Sequence, residues 1–339
     1  MNTDSKRGKM DEKSSLSPLF KLFKRFYAYR PAGIFTVFVG LILFFSIFTG
    51  YRFLNRSNLI VMLKIGPELG IVALGVTMLM IAREFDLSVG SNVAFCGWIN
   101  GFLYAMGLHP ALAAFVVLIV GSLIGALNGL ITVKFNIPSF ITTLGTMMWW
   151  RGMVLIVTHG FPMSYLPGET HPLFYYALAG DVGGIPVQAI WFIVFTLLIW
   201  ILLGEHRFGN WVQTTGDNKE AARAMGINTD RVKIICFMIT GVLCGFTAVM
   251  QCTRSRGAYP QQALGWELDA IAAPVIGGTL LTGGVGTVIG TFIGVFLLHS
   301  VNTGLLIMRA EAYWFEALIG LIVIIGVIFN LAIERRRAK

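Results

Sequence analysis

Few residues in this chain are equipped for chemistry, and most stand at the ends of apolar stretches. Glu84 and Asp86 follow Arg83, with Ser88 and Gly90 just beyond, and Glu267 and Asp269 repeat the acidic-x-acidic spacing far along the chain. Ionisable groups at membrane depth are costly, so they mark functional candidates by default. Two readings stay open for both pairs: a charged cluster at the membrane interface, or part of a gate. Asn128, His299 and Asn302 interrupt apolar runs, where such side chains more often bond a neighbouring helix than a solute. Arg151, next to Trp149-Trp150, is expected to snorkel outward.

Other chemistries are not supported. His109, His159, His171 and His206 are scattered without metal-ligand spacing. Cys96, Cys236, Cys244 and Cys252 lie in apolar segments with no CxxC pair, as small packing residues do. No nucleophile–base constellation is visible, so no catalytic residue is expected. No Gly-x-x-x-x-Gly-Lys-Ser/Thr phosphate loop occurs, since Gly8-Lys9-Met10 lacks both the loop and the hydroxyl. The chain is expected to carry no cofactor and no metal.

The polar interruption at 205–233 is the most informative stretch. Within it run Gly216-Asp217-Asn218-Lys219-Glu220-Ala221-Ala222-Arg223-Ala224-Met225-Gly226-Ile227. Asn218 is suited to cap a helix that Glu220-Ala221-Ala222-Arg223-Ala224-Met225 favours, and Gly226 to end it. Such a helix is a linker, or a handle whose small side chains Ala221, Ala222 and Ala224 fit a partner's groove.

Helices in a membrane must position all of this. The chain is 56% hydrophobic and 13% charged, where soluble domains carry roughly a quarter charged residues. Spanning helices need about 20 apolar residues, and such stretches occur near 32–50, 59–82, 89–107, 111–133, 139–157, 187–204, 232–252, 268–282, 286–307 and 313–333. The expected fold is all-α and integral to the membrane, with about ten transmembrane helices; the alternating segments of a barrel are absent. Residues 31–333 then form one membrane domain, between a polar tail at 1–30 and a basic end at 334–339. The first apolar stretch is not expected to be a cleavable signal.

The net charge of +9 is not spread as a nucleic-acid binder would spread it. Lys and Arg concentrate in the N-terminal tail, in 205–233 and at Arg335, Arg336, Arg337 and Lys339, whereas 158–186 has none. The positive-inside rule therefore places both termini and the 205–233 loop in the cytoplasm. Arg52, Arg56, Arg254 and Arg256 run against it.

Two patterns recur. Glu84-Phe85-Asp86 returns as Glu267-Leu268-Asp269, and the Gly-x-x-x-Gly run 121–129 returns at 286–294. In a ten-span reading the offset is five spans, which predicts inverted halves of spans two to five and seven to ten, an architecture of transporters. The glycine spacing, with Gly241 and Gly245, lets backbones pack closely. Short, Gly- or Pro-interrupted segments at 89–107 and 268–282 hold corresponding places, as discontinuous pathway helices do.

Gly216, Asn218, Ala221, Ala222, Gly226 and Ile227 form a pattern, Gly-x-Asn-x-x-Ala-Ala…Gly-Ile, that resembles the coupling loop of ABC-transporter permeases. Asp86-Leu87-Ser88-Val89-Gly90-Ser91 and Glu267-Leu268-Asp269-Ala270-Ile271-Ala272-Ala273, with Gly277-Gly278-Thr279 and Gly283-Gly284, resemble the branch importing ribose, xylose, arabinose and galactosides. The matching stretches spread over about residues 57–310. The resemblance implies a permease subunit of the bacterial inner membrane, forming half of a pathway for a sugar or similar small polar solute. It implies a second copy or sister permease, a cytoplasmic ATPase holding ATP and magnesium, and a periplasmic or lipid-anchored binding protein. Coupling would fall to Gly216, Asp217, Asn218, Glu220, Ala221, Ala222, Gly226 and Ile227. Asp86, Ser88, Gly90, Asn128, Glu267, Asp269, Gly277, Gly278 and Asn302 are the pathway or gate candidates. Glu84-Phe85 stands where this family usually has Gly-Ile, and Pro274 where a small aliphatic is usual, which leaves room for a less common substrate. The alternatives are an ion-gradient-driven secondary transporter, which predicts buried acid relays, and an intramembrane enzyme or scaffold, which predicts a catalytic cluster at depth.

Overall fold

Each apolar stretch nucleates a helix, because backbone polar groups in hydrocarbon must bond within their own segment. The computed structural model describes residues 31–311 and 313–337; the tail at 1–30 and residues 338–339 fall outside the described residues. The helices in order are α1 (Pro31–Phe48), α2 (Arg56–Ile81), α3 (Val89–Ala105), α4 (Pro110–Lys134), α5 (Ser139–Thr158), α6 (Pro167–Thr170), α7 (Pro172–Ala179), α8 (Val187–Gly204), α9 (Arg207–Asp217), α10 (Lys219–Ala224), α11 (Thr229–Ser255), α12 (Trp266–Ile276), α13 (Val288–Ile307) and α14 (Tyr313–Arg337). The only strands among the described residues are two-residue antiparallel pairs, Met163–Ser164 with Gly257–Ala258 and Asp181–Val182 with Ile185–Pro186.

The fold is all-helical, and α2, α4, α5, α8, α11 and α13 are long and apolar enough to cross a membrane. By that measure the ten expected crossings become six, with shorter apolar helices at Gly33–Phe48 and Tyr313–Gly326. The other two differ for a physical reason. With 17 residues, α3 spans about 25 Å, and α12, with 11 residues, about 16 Å; a hydrocarbon core is about 30 Å thick. The 268–282 segment is therefore a half-helix running into a glycine-rich turn.

The core forms around α2 and α11. Residues 66–81 of α2 are buried without interruption. Against α4, α11 packs backbone to backbone: a Cβ added at Gly125 would collide with the Phe237 carbonyl, and one at Gly121 with the Gly241 carbonyl. The Gly241/Gly245 spacing thus does what it is suited to do. Where α2 crosses α11, a Cβ at Gly75 would sit 2.9 Å from Thr240 Cα. The hydroxyls of Thr77 and Thr291 meet at 2.7 Å and tie α2 to α13. Arg254 of α11 clamps the fully buried Glu68 of α2 with two hydrogen bonds, Nε to Oε1 at 2.5 Å and Nη2 to Oε2 at 2.9 Å. This pair explains one exception to the positive-inside pattern, because Arg254 is matched by an acid.

Two sequence expectations change here. Gly121–Gly129 lies in the middle of α4, whereas Gly286–Gly294 straddles the start of α13. The glycine repeats therefore do not occupy equivalent positions. Between α11 and α12 the chain runs back along α3: Ala258 lies against Gly101, Gln262 against Gly97 and Ala263 against Gly90. That descent covers about 16 Å by helix rise, so Glu267 and Asp269, both half-buried, stand in the first turn of the short α12.

The glycine contacts yield a direct test. Gly125→Val drives a branched side chain into a carbonyl and should destabilise the protein by about 1–3 kcal/mol or more, seen as a lowered midpoint of thermal unfolding in detergent. Gly152→Ala, with nothing within 4 Å of its Cβ, should leave that midpoint unchanged or slightly raised.

Candidate functional site

The 205–233 interruption builds two short helices. His206 Nδ1 accepts from Phe208 N at 3.1 Å and caps α9, which buries Phe208, Val212, Thr215 and Gly216 on one face. Asn218 Oδ1 accepts from Glu220 N at 3.1 Å and Ala221 N at 3.0 Å, as its cap role requires. Gly226 ends α10 with φ +81° and donates to Arg223 O at 2.9 Å. Arg223 Nη2 holds both carboxylate oxygens of Asp230 at 2.8 and 2.9 Å, which fixes α10 against the start of α11.

The outward face of α10 differs from the expected one. Ala222 is fully buried, because its side of the helix packs inward, so it cannot reach a partner. Ala221, Glu220 and Ala224 are exposed, as is Met225 at the tip, which sequence reasoning did not single out. Ile227 packs at the edge of the core. At the base of the loop, Gly216 is pressed against the carbonyl of Ile81 and lies near Gly284 N, and a Cβ at Gly284 would be 3.0 Å from Asp217 Cβ. Gly284 N donates to Ile81 O at 2.8 Å. The loop thus rests on the end of α2 and on the turn between α12 and α13.

The second cluster forms where helices break. Asp86 Oδ1 accepts from Ser88 N at 2.8 Å and from Ser88 Oγ at 2.6 Å, and Asn128 Nδ2 donates to the same hydroxyl at 2.8 Å. All three side chains are buried. Gly90 permits the next contact: a Cβ there would lie 2.8 Å from Glu267 Oε2 and would strike the Ala263 carbonyl. The starts of α3 and α12 therefore meet with Asp86, Ser88, Asn128, Gly90 and Glu267 around them. Asn128 Oδ1 and Glu267 Oε2 have no hydrogen-bond partner among the described residues.

The other candidates lie elsewhere. Gly277 packs on Gly290 at the far end of α12, Gly278 takes φ +88° beside it, and Thr287 Oγ1 donates to Gly277 O at 3.3 Å. Asp269 lies within the electrostatic reach of Glu267 and Glu316. Asn302 sits three-quarters of the way along α13, away from the broken-helix cluster.

Three partners were missing from the sequence reading. Glu84 pairs with Lys233 of α11 in a nearly buried ion pair. Arg151 does not snorkel outward: its Nη1 donates to Pro260 O at 2.8 Å and Gln262 O at 3.1 Å. The hydroxyls of Ser139 and Thr143 accept from Phe85 N and Leu87 N, each at 3.0 Å. Positions 139 and 143 share one helix face by their spacing, a signal present in the sequence.

Residues 58–327 match the family described as branched-chain amino acid transport system / permease component. The chain is 33% identical over 281 residues to the ribose import permease protein RbsC of Escherichia coli (strain K12), covering 82% of this chain and 87% of that protein. It is 32% identical over 278 residues to RbsC of Bacillus subtilis (strain 168), covering 82% and 86%. It is also 32% identical over 264 residues to the autoinducer 2 import system permease protein LsrC of Photorhabdus luminescens, covering 77% of each chain. No solved structure matches.

Removing the hydroxyls that serve the break after α2 should loosen it. Ser139→Ala and Thr143→Val each orphan a backbone N–H, at a cost of about 1–3 kcal/mol. Amide exchange across 82–88 should then quicken by about tenfold or more, while exchange in α4 stays unchanged.

Proposed function

Because the chain belongs to the branched-chain amino acid transport system / permease component family, we propose that it is the membrane-spanning permease subunit of an ATP-driven, binding-protein-dependent importer of a sugar or similar small polar solute. The observation that carries this reading is the capped helix α10. It leaves Ala221, Ala224 and Met225 exposed, while Gly216 at the end of α9, just before it, is wedged against Ile81 and Gly284. A rigid projection anchored on two helix breaks is suited to transmit a push from a soluble motor.

On this reading the chain crosses a bacterial inner membrane ten times, counting α3 and α12 with their turns, and both termini are cytoplasmic. The order of long helix, break and short helix in α2–α3 and again in α11–α12 supports inverted halves, the arrangement in which broken helices line a pathway. The chain supplies half of that pathway, and a second copy or a sister permease supplies the rest. A cytoplasmic ATPase binds α10 and carries ATP and magnesium, and a periplasmic or lipid-anchored binding protein delivers the solute. The relatives named as ribose and autoinducer 2 import permeases favour a sugar-like solute. Glu68 does not favour the ion-gradient alternative. Its two hydrogen bonds to Arg254 fix it as a structural ion pair, and removing one partner of such a pair typically costs about 3–5 kcal/mol.

Reconstitution tests the reading. Liposomes holding the chain with its ATPase and binding protein should take up labelled ribose or a related sugar only with ATP inside the ATPase compartment. Uptake by this chain alone on a proton or sodium gradient would contradict it. Gly226→Val, at a left-handed φ where a β-branched residue costs about 1–2 kcal/mol, should reduce ATPase co-purification and uptake several-fold. The surroundings of Gly226 are open, so the membrane core should stay folded.

A further inference from the structure

Residues 82–88, between α2 and α3, bond to α4, α5 and α11 around the helix break. At their start, Ile81 O accepts from Gly284 N at 2.8 Å and is met by Gly216 at the base of the coupling loop. Next, Glu84 pairs with Lys233, the last residue of the 205–233 stretch, one turn into α11. Phe85 and Leu87 hang by their amides from Ser139 and Thr143 of α5. At their far end Asp86 and Ser88 form the turn that starts α3, with Asn128 bonded to it.

A displacement of 216–233 therefore has two fixed points of purchase on this short segment. One is steric, Gly216 against Ile81, the last residue of α2, directly before the segment. The other is electrostatic, Lys233 on Glu84, whose side chains are only 12% and 8% exposed. A charge pair so poorly hydrated is held strongly, because losing one partner strands the other away from water. The segment has little freedom to absorb the motion, since its amides are pinned and it contains no glycine.

We propose that the 82–88 segment is the receiver of the coupling loop's motion, and that the Glu84–Lys233 pair positions it so that movement reaches the Asp86–Ser88–Asn128 turn at the start of α3. Glu84 and Lys233 are then positioning residues, acting through that turn. This inference rests on the importer reading.

The test uses the complete assembly of permease, ATPase and binding protein in proteoliposomes. Glu84→Gln and Lys233→Gln should still co-purify with the ATPase, and solute moved per ATP hydrolysed should fall at least about tenfold, as an energetic change of roughly 1.4 kcal/mol per decade implies. The exchanged pair Glu84→Lys/Lys233→Glu should restore that ratio to within about threefold of the unaltered protein. A purely structural role would lower yield or thermal stability without changing the ratio. Hydrogen exchange on the unaltered assembly needs no variant to fold: trapping the ATPase in its nucleotide-bound state should change exchange at 82–88 together with 216–233. Single variants with an unchanged ratio, a charge exchange that folds without rescue, or a change at 216–233 that leaves 82–88 untouched would each overturn the proposal. Failure of the unaltered chain to bind any ATPase would overturn the importer reading and this inference with it, a result distinct from the others.

Discussion

Everything in this structure depends on satisfying backbone polar groups where helices break inside the membrane domain. An unbonded N–H or C=O in hydrocarbon costs several kcal/mol. The break after α2 exposes the amides of Phe85 and Leu87, and the descent before α12 exposes the carbonyls of Pro260 and Gln262. A single helix, α5, answers both, with Ser139 and Thr143 at the first and Arg151 at the second. Gln262 adds a bond from Nε2 to Val93 O at 3.1 Å, sewing the descent to α3. The turn after α12 closes on itself and on α2, through Leu280 N to Val285 O at 3.0 Å and Gly284 N to Ile81 O. The broken helices are stable because their breaks are served.

The same bonds decide what can move. With α2 and α11 clamped by Glu68–Arg254 toward one end and Glu84–Lys233 toward the other, the two longest buried helices form a shared frame. The short helices α3 and α12 begin against that frame and against each other, at Gly90 and Ala263. The coupling loop rests where the frame ends. On the proposed function, a push on α10 would be delivered at the junction of frame and break, through close backbone approaches at Gly216, Gly283 and Gly284.

Hydropathy makes much of the fold legible. All ten apolar stretches carry helices in the structure, and the glycine-rich composition of 268–282 already marks the shorter of the two that stop short. Asn218 and Gly226 announce both ends of α10, because capping chemistry is local. What stays hidden is pairing over distance. Glu68 and Arg254 are 186 residues apart, and Glu84 and Lys233 are 149 apart. Nothing local tells either acid which base it will meet. The depth of Glu267 is hidden for a related reason: a non-helical descent along α3 looks like an ordinary surface loop until its carbonyls find Arg151. The candidate site is half legible. Asp86, Ser88, Gly90, Asn128 and Glu267 come together, while Gly277, Gly278 and Asn302 lie apart. On α5 the i, i+4 spacing of Ser139 and Thr143 is legible, whereas the carbonyl partners of Arg151 are not.

The central claim is that α10 is where a motor grips this chain. A photo-crosslinking residue placed at Met225 in the assembled complex tests it most directly, with one at Leu173, exposed on the opposite loop, as the reference. The account predicts a crosslink from position 225 to the ATP-hydrolysing subunit and none from 173. A crosslink to that subunit from 173, or its absence at 225 in a complex that still transports, would contradict it.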